Sequence, residues 1–188
     1  MTSPAVLGSV PDTLVAHKDQ IVGLVAGAGQ FPFSFADKAR AMGLRVACIG
    51  LRDSADPSLA ERVWQFQWSG PIQVGRMIRF FHRHNARQLV MAGKVQKADL
   101  LYKPWKLITL RPDWRGFHAW YFRKYRDHRD DSLLLAFIDE FARDGMTFAS
   151  ALDLCPELLV KPGVLTRRQP TSSEYADIAF GWELAKEM

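Results

Sequence analysis

Short apolar runs alternate with amphipathic stretches along most of this chain. Ile21-Val22-Gly23-Leu24-Val25-Ala26 is apolar throughout, the pattern of a strand buried on both faces. The loop Gly27 to Pro32 follows, and then a helical stretch from Phe33 to Met42 that stops at Gly43. Leu44 to Gly50 reads as a second strand and Arg52 to Pro57 as a polar loop. Val63 to Trp68 alternates apolar and polar residues, which suits a strand near a sheet edge. Ser69-Gly70-Pro71 turns the chain into a helix over Ile72 to His84, whose Ile72, Met77, Ile78 and Phe81 recur near period 3.6. Gln88 to Ala92 is a fourth strand ending at Gly93-Lys94. This order predicts an α/β fold: a mostly parallel sheet with flanking helices on both faces.

Beyond Lys97 the character becomes helical. The pattern predicts helices over Trp114 to Tyr125 and Asp131 to Phe141, with Gly145 as a stop. Met146 to Phe148 is a short last strand, and Leu158 to Pro170 a loop rich in Pro and Gly. Thr171-Ser172-Ser173-Glu174 has the spacing of a capping box and opens a final helix to Met188. Residues 1–20 hold turn formers without periodicity and read as a flexible leader. The layout is therefore leader 1–20, α/β domain 21–150, and a loop and helix over 151–188.

Composition narrows the class. The 188 residues are 48% apolar and 24% charged, as in globular rather than disordered chains. Two cysteines without a CxxC pattern argue against a disulfide scaffold or a zinc site. No apolar run approaches the roughly 20 residues of a membrane span, and no secretory signal pattern opens the chain. A cytoplasmic setting is expected. The net charge of +5 is concentrated between Lys97 and Arg126, where eight basic residues face only Asp99 and Asp113. The same segment carries Trp105, Trp114, Phe117 and Trp120 among other aromatics. Three readings stay open for it. The spacing of Phe117, Trp120 and Tyr121 suits packing. Trp114, Arg115, Arg123 and Arg126 suit contact with an anionic membrane or lipid surface. Nucleic acid is the third reading and is not the expected partner.

Three short constellations could carry chemistry. Gly27-Ala28-Gly29 stands between a strand and a helix, where backbone amides and the helix terminus favour a phosphate. The same glycines also serve a tight turn. Lys94, just past the fourth strand, is placed either as a point charge for phosphate or as a solvated loop residue. Asp130 and Asp131 either cap a helix or assist a metal ion or a water as weak catalytic candidates. No histidine pair has ligand spacing, and no GxSxG nucleophile motif is present.

Taken in order, these motifs resemble a known family. Gly23 to Pro32, Ala92-Gly93-Lys94-Val95, Asp130-Asp131-Ser132-Leu133-Leu134 and Pro162-Gly163-Val164-Leu165-Thr166 are similar to stretches of the LpxI-type UDP-2,3-diacylglucosamine pyrophosphatases. Arg129 stands where that family usually has glycine. The resemblance implies a Rossmann-like N-terminal domain and, in the whole enzyme, a separate C-terminal domain with substrate held between them. It implies hydrolysis of a UDP-diacyl-sugar to lipid X and UMP in lipid A biosynthesis, with a divalent metal, Mg²⁺, at the cytoplasmic face of the inner membrane. Gly27, Ala28, Gly29 and Lys94 are the matched positions for substrate, and Asp130 and Asp131 the matched acids. The second domain's Glu-Gly-Thr-Asp motif has no counterpart in this sequence, so residues 1–188 are expected to be catalytically incomplete alone. A homo-oligomer is compatible with the apolar surface such a cleft would leave. The alternative is a non-catalytic module of the same fold that binds a nucleotide-sugar or lipid phosphate.

Overall fold

The computed structural model describes residues 20–95, 113, 130–156, 159–160 and 162–187. The chain divides into two compact units, Met1–Pro156 and Glu157–Met188. The first is built on five parallel strands: β1 (Ile21–Ala26), β2 (Arg45–Leu51), β3 (Gln65–Ser69), β4 (Gln88–Ala92) and β5 (Thr147–Ala149). Their order is β3-β2-β1-β4-β5. Helices α1 (Phe31–Ala41), α2 (Val74–Arg83) and α3 (Asp130–Ala142) connect or follow them. The fold is α/β and Rossmann-like, and every strand pairing is parallel.

Alternation along each strand sorts side chains onto two cores. Val22, Leu24, Val46, Cys48 and Val90 pack with Phe35, Ala36 and Ala39 of α1. Val25, Ala47, Ile49, Leu51 and Leu89 pack with Met77, Ile78 and Phe81 of α2 and Phe141 of α3. Each large side chain removed from water in this way contributes about 1.5–3 kcal/mol, which is why both faces need a helix layer. The half-buried alternating strand β3 does lie at the sheet edge, and Phe66 and Trp68 meet edge to face on it at 4.9 Å.

Local boundaries differ from the sequence reading for identifiable reasons. Helix α1 starts at Phe31, two residues early, because Pro32 is tolerated in a first turn that needs no amide hydrogen there. A 3₁₀ turn at Pro57–Glu61 begins on the last residue of the predicted loop, and the Asp56 carboxylate accepts hydrogen bonds from the Ser58 amide and hydroxyl. That interaction draws the Asp56 carboxyl below its ordinary pKa. Gln20, grouped with the leader, instead joins the sheet: its carbonyl accepts from Arg45 N–H, and its side-chain amide donates to Gln88 Oε1 at 2.7 Å. The rest of the leader and the helix predicted over Trp114 to Tyr125 lie outside the described residues.

In the second unit, α4 (Ser172–Glu187) opens on the predicted capping box. Glu174 N–H donates to Thr171 Oγ1 at 3.3 Å, and Thr171 N–H donates to Glu174 Oε2 at 2.7 Å. Arg168 adds a two-pronged grip on the same carboxylate, at 2.7 and 3.0 Å.

Candidate functional site

In a sheet ordered β3-β2-β1-β4-β5 the direction of winding reverses between β1 and β4. Ligands of open α/β sheets bind outside the carboxyl ends of the strands at such a reversal. Two loops meet there, Gly27-Ala28-Gly29 after β1 and Gly93-Lys94 after β4.

The meeting is a direct backbone bridge. Ala28 N–H donates to the Lys94 carbonyl at 2.8 Å, and Lys94 N–H donates back to the Ala28 carbonyl at 2.8 Å. Gly27 N–H donates to the Ala92 carbonyl at 2.8 Å and carries the parallel ladder one step further. The contact is too close for side chains. A Cβ on Gly27 would lie 2.5 Å from the Lys94 carbonyl oxygen, and one on Gly93 would lie 2.8 Å from that of Ala28. Gly93 also has φ +94, a backbone state that residues with a Cβ avoid.

This geometry divides the roles within the glycine triplet. The amides of Gly27 and Ala28 are already committed to protein carbonyls. Gly29 has φ +104, and open space surrounds the position of its missing side chain. Among the described residues the amides of Gly29, Gln30 and Phe31 carry no hydrogen bond. Gln30, the cap residue of α1, makes no side-chain capping bond, and the first turn holds no acidic residue. The N-terminus of α1 therefore presents uncompensated donors and the positive end of the helix dipole at the end of β1.

Helix α2 begins differently. Gln73 makes no capping bond there either, but the Asp113 carboxylate accepts from Arg76 N–H at 2.9 Å. A Cβ on Gly75 would stand 2.9 Å from the same Asp113 oxygen. Of these two helix starts, α2 is thus served by a carboxylate of the chain itself, and α1 is served by none among the described residues.

The exposed Lys94 side chain has no ion-pair partner among the described residues. Asp130 and Asp131 stand in the first turn of α3, at its start rather than ahead of it, and their side chains are outside the described set. Trp114, Arg115, Arg123 and Arg126 also lie outside it. Among the described residues no three His, Cys, Asp or Glu side chains are grouped to hold a metal ion. Among them, too, no helix is long and apolar enough to cross a membrane. Sequence reasoning passed over Arg52 and Asp53 as loop. They leave the end of β2 one strand away from Gly27 to Gly29, and the strand order that brings them there is absent from any local pattern.

Comparison with known proteins adds a second line. A family model described as the LpxI N-terminal domain matches residues 21–158. The UDP-2,3-diacylglucosamine pyrophosphatase LpxI of Caulobacter vibrioides is 27% identical over 168 residues, covering 89% of this chain and 57% of that protein. The chain thus spans little more than half the length of this relative. Among solved structures, a UDP-glucose-4-epimerase from Stenotrophomonas maltophila is 14% identical with a TM-score of 0.43, covering 91% of this chain and 49% of the other. A pyruvate carboxylase from Rhizobium etli is 10% identical with a TM-score of 0.38, covering 69% and 11%.

Proposed function

Because the chain belongs to the LpxI N-terminal domain family, we propose that it binds the diphosphate of a UDP-2,3-diacylglucosamine substrate whose hydrolysis yields lipid X and UMP. The observation that carries this reading is the open N-terminus of α1 at the reversal point of the sheet. In the proposed complex a phosphate oxygen takes the amides of Gly29, Gln30 and Phe31. Gly27 and Ala28 hold the loop in place through the bridge to Lys94, and the Lys94 ammonium adds a point charge.

The chemistry follows from those groups. Hydrolysis of a pyrophosphate builds negative charge on the leaving phosphate, and donors fixed in advance stabilise it without reorganising. Backbone amides at a helix start suit this task because their direction is set by the fold. The family's chemistry also calls for a divalent ion, for which Mg²⁺ is the proposal. Among the described residues no three His, Cys, Asp or Glu side chains are grouped to hold it, and the roles proposed for the described residues are binding and charge stabilisation. Asp130 and Asp131 are the acids proposed to assist, and the cytoplasmic face of a membrane is the proposed place of action.

Calorimetric titration of the chain with UDP tests the reading. Gly29→Val puts a branched side chain into the open space and onto a backbone with φ +104. A folded variant is expected to lose UDP affinity about tenfold or more. Equal affinity in parent and folded variant, or no UDP binding by the parent, overturns it.

A further inference from the structure

We infer that Arg52 is a second phosphate-binding residue of this site, holding the phosphate of a nucleoside diphosphate that the α1 terminus does not. The inference rests on the reading above and extends it to a residue on a different strand. Strand β2 is the direct neighbour of β1, with Ala26 opposite Gly50 in register. Neighbouring strands run about 4.8 Å apart, so the residues just past Leu51 emerge beside Gly27 to Gly29.

Alternation decides which side of the sheet Arg52 serves. Val46 and Cys48 pack into the core beneath α1, whereas Ala47, Ile49 and Leu51 pack into the core beneath α2. The next residue in that rhythm belongs to the α1 side, the side of the open helix start. Its backbone is still held by the sheet, since Arg52 N–H donates to the Ser69 carbonyl at 3.0 Å. Only then does the chain turn away, with Asp53 at φ 62 and Ser54 N–H returning to the Leu51 carbonyl at 3.2 Å.

The side chain itself is exposed, and among the described residues it has no hydrogen-bond or ion-pair partner. The nearby carboxylates do not claim it: Asp56 is engaged by Ser58, and Asp53 makes no ion pair with it. A guanidinium suits this position because its planar fork matches two phosphate oxygens at once, which a lysine ammonium does not. A root anchored in the sheet with a free head describes a group that grips a ligand without moving the fold.

The test uses the whole chain, with UDP and UMP as probes, and the variants Arg52→Gln, Arg52→Lys, Gly29→Val and Arg83→Gln. Arg83 ends α2, the helix that leads from the end of β3 back to the start of β4, and controls for net charge. Arg52→Gln is expected to weaken UDP about tenfold or more and UMP less than about threefold, with Arg52→Lys between parent and Arg52→Gln. Arg83→Gln is expected to leave both affinities within about twofold. UDP affinity unchanged in Arg52→Gln while Gly29→Val abolishes it would overturn the role of Arg52 and leave the α1 site standing. Equal losses for UDP and UMP, or a matching loss in Arg83→Gln, would also overturn it. A parent chain that binds neither nucleotide would remove the underlying reading together with this one.

Discussion

Ala28 and Lys94 exchange both of their backbone hydrogen bonds at 2.8 Å, although 65 residues separate them and their parent strands run parallel. The two loops turn back on each other as an antiparallel bridge and close the gap between β1 and β4. The proposed ligand position is accordingly the open start of α1 rather than the space between the two strands.

That bridge should be costly to disturb. Gly27→Ala places a Cβ 2.5 Å from a backbone carbonyl that cannot swing aside. A loss of about 1–3 kcal/mol is expected in urea unfolding. Gly93→Ala should lose at least as much, since strain at φ +94 adds to the clash. The double variant should lose less than the sum, because both changes break one contact. A Gly27→Ala protein as stable as the parent would argue against the close approach.

Asp113 predicts a contrast between the two helix starts. Asp113→Ala removes the carboxylate that accepts Arg76 N–H, and a capping loss of this kind costs about 1 kcal/mol. UDP affinity should stay within about twofold, because the proposed phosphate position is at α1. A tenfold loss of UDP binding with unchanged stability would move the ligand to α2.

Glu174 should titrate far below an ordinary glutamate. Hydrogen bonds from Arg168 come first among the causes and those from Thr171 second, and together they hold its carboxyl down to about 2. A depressed folded-state pKa contributes stability that is full above the unfolded value of about 4.3. That contribution drains away as pH falls toward about 2. Carboxyl NMR of the chain should show this titration, and Arg168→Gln should move it upward toward the ordinary range. A midpoint near 4 in the parent would refute the grip.

The two cysteines should be silent in the native protein. Cys48 and Cys155 are both fully buried, and burial pushes the Cys48 thiol well above the ordinary thiol range. A colorimetric thiol reagent should modify neither until denaturant is added, and then both. Rapid labelling of the folded chain would contradict this burial.

The elements of this protein were legible in its sequence because each depends on neighbours a few residues apart. The apolar run of β1, the alternation of β3 and the stripe of α2 follow from period 2 or 3.6 against a buried face. The Thr171 to Glu174 cap is likewise complete within four residues. Gly27-Ala28-Gly29 was recognisable as special, but its two explanations were indistinguishable, since phosphate contact and tight backbone packing both favour glycine.

Only the tertiary structure told the three positions of the triplet apart. It joined Gly27 and Ala28 to the β4 loop, left Gly29 open, set Asp113 on α2 and put Arg52 just past the end of the strand that pairs with β1. None of these pairings is written locally. They follow from strand order, which is decided by the whole sheet burying both of its faces at once. Pattern within a strand says that it will be covered, and only the assembled sheet says what stands next to it.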